Sequence, residues 1–550
     1  MCEKMVSAED IYWGRAGIIV MSLVLIVLIA FPGVASADII ITSPSSNQTF
    51  SETNDFPSRR FADPWDMNRW TDLSYGQYYH DITNFRFKGG MVSGRTTGTD
   101  AYFHPLFPGY RDAVPMGRDG GINRIDTSRY DSFSVRLYSN RRTSAQILWF
   151  FNNVWTDYGV STFCVYPGWH TYKINLSSNS KWTGKPMGLR FDPTYHSGVH
   201  FKVDWMRLYR QSTRRVTLKW TDAEPGQTVN VYLDRDNKVG NNGLEELASQ
   251  TSNADNSFTW DPSAYQPGAY FFYIKKAGRP GVHSKRIYIN RIPLISILNP
   301  DEKGGKDYAA VETGNPWDMK NINDLSHWDV MTRPTFKGGV LTAKTQHGDG
   351  YFHLRVTKPI NTNKYHRLTF RYRYDGPFDF GLGTMSRFIW SPNRWDISKY
   401  STSDDIVVYP RWREYTIDLK KMPLDAGRRG WTRKVREFRF DPLEVPRPWR
   451  FYVDYVRLTA DDWANRGMTI QWKEGRLTPR PTKVAIYYDK NRSGFNGKLI
   501  AKGLKSAAGK NSYKWNTRKV PEGKYWIHIT ANDGISSSKV YSTGPVVIEH

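Results

Sequence analysis

Two Tyr-x-His patterns contain the side chains of this 550-residue chain that best suit catalysis, Tyr102 with His104 and Tyr351 with His353. Residues two apart on a β-strand point to the same face. Beside an arginine that neutralises a uronate, this pair would suit a polysaccharide lyase, although an ordinary strand explains the same pattern. No carboxylate pair stands out for glycoside hydrolysis, and no Gly-x-Ser-x-Gly, His-Glu-x-x-His or P-loop motif is present. We therefore assign no catalytic residues and favour a protein that is not an enzyme.

The two Tyr-Phe-His segments belong to an internal repeat that runs through most of the chain. The matched segments keep their order along the sequence, which indicates a tandem duplication. They include Pro-Trp-Asp-Met at 64–67 and 316–319, Phe-Lys-Gly-Gly at 87–90 and 336–339, Arg-Phe-Asp-Pro at 190–193 and 439–442, and Val-Asp at 203–204 and 453–454.

The larger part of each copy resembles a known domain type. A Trp-led amphipathic segment begins at Trp169 and Trp412, and the Arg-Phe-Asp-Pro turn and a closing Asp-x-x-Arg-Leu strand follow it. This order is similar to the C-terminal half of galactose-binding-like jelly-roll domains, the fold of many carbohydrate-binding modules. The smaller part resembles fibronectin- or immunoglobulin-like spacers, with Asx-Gly hairpins at 234–243 and 489–497.

Alternating apolar and polar residues predict short strands throughout, and no long segment has helical periodicity. We therefore predict an all-β chain in which a jelly-roll sandwich and an immunoglobulin/fibronectin-III-like sandwich occur twice, giving four domains. The predicted boundaries are a signal peptide at 1–37, a leader strand and linker at 38–56, a jelly roll at 57–211, an immunoglobulin-like domain at 212–292, a second leader strand and linker at 293–303, a second jelly roll at 304–462 and a second immunoglobulin-like domain at 463–550.

Asp204 and Asp454 lie in the closing strands of the two larger domains. The jelly-roll resemblance implies that such a carboxylate can join backbone carbonyls around a structural calcium, which takes six to eight oxygen ligands. An ion pair with Arg190 or Arg439 is the alternative. No other cofactor is expected.

Aromatic residues make up 15% of the chain, with 21 Trp and 33 Tyr. Most of them fit β-sheet cores, but those found in one copy alone are candidates for stacking on sugar rings. These predicted ligand-binding residues are Tyr75, Tyr78, Tyr79, Trp182, Tyr195, Trp431 and Trp449.

The N-terminus is typical of an export signal. Lys4 and Arg15 precede an apolar run at 16–31, and Ala-Ser-Ala at 35–37 offers a cleavage site. An uncleaved anchor is the alternative, because the run approaches the ~20 residues of a membrane-spanning helix. The net charge is +24, and positive charge on an exported protein favours polyanionic partners. The basic residues are dispersed and match no nucleic-acid-binding motif.

These features predict an exported, non-catalytic glycan-binding or cell-surface protein that engages acidic polysaccharide through basic, aromatic-rich jelly rolls. It would be secreted or attached to the cell surface, in an extracellular or periplasmic location. A structural subunit of a surface layer, matrix or filament is the alternative, which would require self-association, and a polysaccharide lyase comes third.

Overall fold

The computed structural model describes residues 39–45, 48–51, 55–74, 79–111, 113–211, 215–222, 227–240, 244–252, 256–290, 292–347, 349–379, 383–394, 396–427, 429–475 and 480–550. The predicted signal peptide lies outside the described residues, as do Asn242 and Gly243 of one predicted hairpin. Among the residues described, no helix is both long and apolar enough to cross a membrane.

The first unit contains short 3-10 helices at Trp70–Asp72, Leu176–Ser178 and Pro262–Ala264. Its helix and strands are α1 (Phe56–Phe61), β1 (Ile40–Ser43), β2 (Gln48–Ser51), β3 (Tyr79–His80), β4 (Ile82–Lys88), β5 (Met91–Thr96), β6 (Ala101–Leu106), β7 (Ser132–Ser139), β8 (Thr143–Phe150), β9 (Tyr158–Val165), β10 (Gly168–Asn175), β11 (Gly188–Thr194), β12 (His200–Tyr209), β13 (Val216–Thr221), β14 (Thr228–Asp234), β15 (Glu245–Ser252), β16 (Ser257–Trp260), β17 (Gly268–Lys276), β18 (Val282–His283) and β19 (Ile287–Asn290).

The second unit contains a π-helical turn at Ala309–Thr313 and 3-10 helices at Ile322–Asp324 and Ile397–Lys399. Its strands are β20 (Leu294–Asn299), β21 (Leu325–Asp329), β22 (Thr335–Lys337), β23 (Val340–Lys344), β24 (Gly350–Leu354), β25 (Ile360–Asn361), β26 (Tyr365–Asp375), β27 (Thr384–Ser391), β28 (Ser401–Ser403), β29 (Ile406–Val408), β30 (Arg413–Asp418), β31 (Leu424–Ala426), β32 (Lys434–Val435), β33 (Glu437–Leu443), β34 (Arg450–Ala460), β35 (Asp462–Ala464), β36 (Gly467–Gly475), β37 (Thr482–Asp489), β38 (Lys498–Ser506), β39 (Gly509–Asn516), β40 (Gly523–Asn532), β41 (Ser537–Tyr541) and β42 (Val546–Ile548).

The four sheets of the first unit have counterparts in the second, which adds a two-stranded sheet, β25-β32. The first jelly roll contains the sheets β10-β7-β12-β5-β4 and β3-β6-β11-β8-β9, and the second contains β30-β26-β34-β23-β22 and a sheet that begins β21-β24-β33-β27. The smaller sandwiches contain β1-β13-β16 with β15-β14-β17-β19-β2, and β20-β36-β39 with β38-β37-β40-β42-β35. The predicted fold class, an all-β duplication of a jelly roll and an immunoglobulin-like sandwich, is confirmed.

The segments expected as leaders and linkers supply strands to the smaller sandwiches. β1 pairs antiparallel with β13, where Ile41 lies opposite Trp220, and β2 pairs parallel with β19. In the second unit, β20 pairs with β36 and Ile297 lies opposite Trp472. Each jelly roll is therefore inserted after the first strand or strands of a smaller sandwich. The other predicted boundaries stay predictions.

Alternation along the strands builds the jelly-roll cores. Phe133, Val135 and Leu137 of β7 occupy every second position, so all three point to one face, and all three are fully buried. In the second jelly roll, Phe388 of β27 stacks on Phe440 of β33 with ring centroids 4.3 Å apart. These cores hold the sheet edges and connecting loops in place.

A long connection within the first jelly roll packs against the second jelly roll. The segment between β6 and β7 carries Phe107, Tyr110 and Met116 into the apolar cluster of the second jelly roll. Next to them, Ala113 forms a parallel bridge with Asp405, and the Val114 N–H donates to the Asp405 carbonyl at 2.8 Å. The edges of the two domains consequently face each other.

Candidate functional site

A cleft of about 610 Å³ lies where the two jelly rolls meet. One wall comes from Trp70, β3 and β4 of the first jelly roll. The other wall comes from the connections that follow β26 and β29 in the second. The lining residues are mostly aromatic rings, prolines and arginines: Trp70, Tyr79, Phe85, Arg86, Phe87, Gly376, Pro377, Phe378, Pro410 and Arg411.

The first wall lies at the edges of both sheets of its jelly roll, since β3 and β4 are edge strands. Tyr79 of β3 stacks on Phe85 of β4 with centroids 4.6 Å apart, and Phe85 meets Phe87 edge-on at 6.0 Å. The register of β4 shifts between Thr83 and Arg86. Such an irregularity is one way in which a strand redirects a side chain next to a binding site.

Trp70 projects from a short turn held by carboxylates. Asp72 accepts the backbone N–H of Arg69 at 3.2 Å, and Asp63 pairs with the Arg69 guanidinium at 2.5 Å. Trp70 remains 39% exposed. Across the domain boundary, the Arg413 guanidinium lies 4.6 Å from the centroid of the Trp70 ring, a cation–π arrangement.

The second wall is built around Phe378, which follows β26. Its ring stacks on Tyr409 with centroids 4.8 Å apart and planes 15° apart. It also meets Tyr110 of the first jelly roll at 6.3 Å. The domain contact thus places Phe378 opposite the aromatic residues of β3 and β4.

Positive charge lines the cleft together with the rings. Arg86 and Arg411 are exposed, and among the residues described neither has a carboxylate within 4 Å. Unneutralised guanidinium groups beside aromatic rings can bind an anionic ring compound, because the rings offer stacking faces and the guanidinium groups bind carboxylate or sulfate.

The predicted aromatic residues occupy different environments. Tyr79 lines the cleft, and Tyr75 and Tyr78 lie outside the described residues. Tyr195 is half-buried away from the cleft, and burial raises the pKa of its hydroxyl. Trp449 is half-buried and stacks on Tyr374 of the second core, with centroids 5.6 Å apart.

Trp182 and Trp431 face the cores. They are 5% and 3% exposed, and their indole N–H groups donate to the carbonyls of Tyr130 at 2.8 Å and Tyr365 at 2.7 Å. Trp182 packs edge-on against Trp149, and Trp431 packs in the same way against Trp390. The two tryptophans are therefore counterparts in the repeat, and neither ring face is open to a sugar.

Asp204 and Asp454 bind arginines, although not the arginines named as alternatives. Asp204 lies 3.1 Å from Arg235 and 3.5 Å from Arg136, and Asp454 lies 2.5 Å from Arg371. Arg190 and Arg439 pair instead with Asp192 at 2.7 Å and Asp441 at 2.6 Å. No group of three or more His, Cys, Asp or Glu gathers as metal ligands in the described part of the chain. This donor set favours ion pairs, and the calcium site stays a prediction.

The Tyr-x-His pairs are enclosed. His104 is fully buried and Tyr102 is 7% exposed beneath the Arg190 guanidinium, which lies 3.8 Å from the ring. Burial, and then the charge of Arg190, lowers the pKa of His104 to about 3. His353 is 3% exposed and lies 2.9 Å from Glu437. A general base must reach the proton it removes, so these geometries do not favour a lyase.

Sequence reasoning missed Trp70, Phe378 and Arg413. Trp70 aligns with Ile322 of the second copy, so it satisfies the criterion of an unshared aromatic residue. Phe378 and Arg413 contribute only because two domains meet, and this contact has no signature in the local sequence.

Comparisons with known proteins match one small domain in sequence and longer parts of the chain in structure. The model of the Kre9/KNH-like N-terminal Ig-like domain matches residues 208–284, which contain most strands of the first smaller sandwich. No curated protein sequence matches significantly. With the sheet order described above, this match confirms at the level of fold the recognition of jelly rolls like those of carbohydrate-binding modules, paired with immunoglobulin-like domains.

Several solved structures align with parts of the chain. A family 29 carbohydrate-binding module aligns at 10% identity over 31% of this chain and 90% of that chain, with a TM-score of 0.20. The CBM22-1–CBM22-2 tandem of Paenibacillus barcinonensis Xyn10C aligns at 9% identity over 76% and 100%, with a TM-score of 0.19. The fibronectin(III)-like modules of Clostridium thermocellum CbhA align at 8% identity over 61% and 85%, with a TM-score of 0.16.

Proposed function

We propose that this protein is an exported, non-catalytic glycan-binding protein that holds an acidic polysaccharide in the cleft between its jelly rolls. The observation that carries the proposal is one cleft of about 610 Å³ that combines Trp70, Tyr79, Phe85 and Phe378 with two arginines. Neither arginine forms an ion pair with a carboxylate of the described residues. That volume lies within the roughly 300–1,000 Å³ of ordinary ligand sites.

Each kind of side chain in the cleft has a distinct part in binding. The flat apolar face of a pyranose ring can stack on an indole or phenyl ring, which removes apolar surface from water. A uronate or sulfated residue adds an anion that Arg86 and Arg411 can bind. Because the two walls come from different domains, a polysaccharide lying in the cleft would contact both jelly rolls.

The net charge of +24 supports an acidic ligand. A positive protein attracts a polyanion over long distances and accelerates the encounter, and salt screens this attraction, with a Debye length of about 10 Å at 0.1 M. We therefore expect binding to an acidic polymer to weaken as salt rises, and binding that depends on stacking to persist.

Affinity electrophoresis of the full chain tests the proposal, with gels containing polygalacturonate or its methyl-esterified form at low and high salt. We expect the wild type to be retarded most strongly by polygalacturonate at low salt. The Trp70→Ala variant should bind roughly tenfold more weakly, since loss of an aromatic anchor commonly costs 1–2 kcal/mol or more.

Trp463→Ala is the matched control. Trp463 is 45% exposed and has the Lys306 ammonium 4.8 Å from its ring, so it reproduces the exposure and cation–π contact of Trp70 outside the cleft. Equal retardation of the two variants would contradict the assignment of the cleft. A wild type that binds no acidic polymer at low salt would contradict the function itself.

A further inference from the structure

A second pocket, of about 390 Å³, lies in the second jelly roll where β24 ends and β33 begins. Its polar lining consists mainly of Arg355, Arg394, Arg436 and Glu437. It shares none of its lining residues with the cleft between the jelly rolls.

Among the residues described, the three guanidinium groups form no ion pair with a carboxylate. Arg355 donates to the carbonyls of Asn323 and Leu325, each at 2.6 Å, and Arg394 donates to the carbonyl of Val356 at 2.9 Å. These are neutral acceptors. The side chains of Arg394 and Arg436 are exposed. The pocket therefore carries concentrated positive charge with donors to spare.

Glu437 is the carboxylate in the lining of this pocket. It is 6% exposed, and its two oxygens lie 2.9 Å from the Tyr400 hydroxyl and 2.9 Å from His353 Nδ1. Guanidinium groups suit a molecule that carries an anionic group, because they bind carboxylate or sulfate.

In the described part of the first jelly roll, the equivalent positions carry different side chains. Counting from the paired Arg190 and Arg439, Gly188 stands at the position of Glu437 and Met187 at that of Arg436. The long connection after β6 fills the space: a Cβ on Gly188 would lie 2.9 Å from Pro108, and one on Gly120 would lie 1.4 Å from the Met187 carbonyl oxygen. In the second copy, the connection from β24 to β26 is shorter: it spans only residues 355–364, which include β25. The pocket is open because that connection is short.

We propose that this pocket binds a uronate residue of the glycan, an inference that rests on the proposed function and names its ligand. The sugar carboxylate lies between the guanidinium groups of Arg394 and Arg436, which can bind it in the bidentate manner typical of arginine. The pocket thus selects uronate over neutral hexose, while the cleft supplies stacking.

Isothermal titration of the full chain with trigalacturonate, and with the same trimer methyl-esterified, tests the pocket. The ester keeps the rings and removes the charges. We expect the wild type to prefer the free acid at least tenfold, and the double variant Arg394→Ala/Arg436→Ala to lose at least tenfold in affinity for it, a modest loss for two charged hydrogen bonds.

The matched control is Arg333→Ala/Arg447→Ala. Both of these arginines are exposed on the same jelly roll, so the control removes the same charge without touching either cavity. Equal affinities of the pocket variant and this control would overturn the proposal, as would equal binding of acid and ester by the wild type. The single variant Arg436→Ala leaves the hydrogen bond from Arg394 to the Val356 carbonyl intact. It therefore keeps the test valid if the double variant folds poorly.

The Trp70→Ala variant separates this inference from the proposed function. If it loses the polymer while the pocket variant binds trigalacturonate normally, the cleft stands and the pocket fails. If the wild type binds no polymer yet binds trigalacturonate in a way that needs Arg394 and Arg436, the proposed cleft fails and the pocket stands.

Discussion

Replacing Trp182 by phenylalanine tests whether this residue supports the core or binds a ligand. The indole N–H donates to the Tyr130 carbonyl at 2.8 Å in the interior of the first jelly roll. Phenylalanine would leave that buried carbonyl without its partner, at a cost of about 1–3 kcal/mol. Loss of part of the ring, which packs on Trp149 with centroids 5.1 Å apart, adds about 1 kcal/mol. We therefore expect the free energy of unfolding of this jelly roll to fall by about 2–4 kcal/mol.

Differential scanning calorimetry of the full chain provides the measurement. For a domain of this size, 1 kcal/mol lowers the melting temperature by about 2–4 °C, so one transition should fall by roughly 5–15 °C. The equivalent change at Trp431 should move a different transition by a similar amount, because its bond to Tyr365 is 2.7 Å long. Each transition is treated as two-state by itself.

Trp463→Phe is the control, because Trp463 is 45% exposed and donates to Glu549 at the surface. This substitution should change the free energy of unfolding by no more than about 0.5 kcal/mol. The reasoning would be refuted if Trp182→Phe moved no transition by more than about 2 °C while weakening retention by polygalacturonate. That result would return Trp182 to the sugar-binding residues.

Two further predictions concern buried charge and metal. Burial raises the pKa of Asp119 to about 8, so between pH 4 and 8 the folded state holds a proton that the unfolded state has lost, and stability falls as pH rises. Between pH 5 and 8 the melting temperature of the Asp119→Asn variant should fall less than that of the wild type. Equal falls in the two proteins would contradict this prediction. Because Asp204 and Asp454 already bind arginines, 1 mM calcium should leave melting unchanged against EDTA; a rise of several degrees would support the calcium site.

The all-β class and the duplicated pair of domain types could be predicted because they depend on local patterns. Alternation along β7 and the repeated Arg-Phe-Asp-Pro turn are visible in short windows of sequence. The partners of β1 and β20 could not be predicted in this way. Ile40 pairs with Thr221, far along the chain, and a short apolar segment does not reveal which distant strand completes its hydrogen bonds.

The candidate site was harder to predict than the fold. Tyr79 was selected as an aromatic residue found in one copy alone, and it lines the cleft. The strand pairing nevertheless places Trp328 at the equivalent position of the second copy. Trp182 and Trp431 were selected by the same criterion, but they are counterparts whose alignment is hidden by loops of unequal length. Their hydrogen bonds to equivalent carbonyls reveal the match. Trp70 lines the cleft with Phe378, and that pairing depends on how the two jelly rolls dock.

One difference between the copies accounts for both cavities. The connection after β6 spans residues 107–131, whereas the one after β24 spans residues 355–364. The longer connection sends Phe107 and Tyr110 into the neighbouring domain, which brings the walls of the cleft together. It also covers Gly188, where the second copy keeps an open pocket at Glu437.

In the proposed function, the two jelly rolls are therefore unequal partners and not two copies of one binding module. The first contributes a connection that closes its own pocket and fixes the domain contact. The second retains a basic pocket and supplies Phe378 to the shared cleft. Duplication preserved the sheets, because their cores tolerate little change in volume. The differences that bear on the two proposed binding sites lie in the connections, where a change of length alters a surface without disturbing a core.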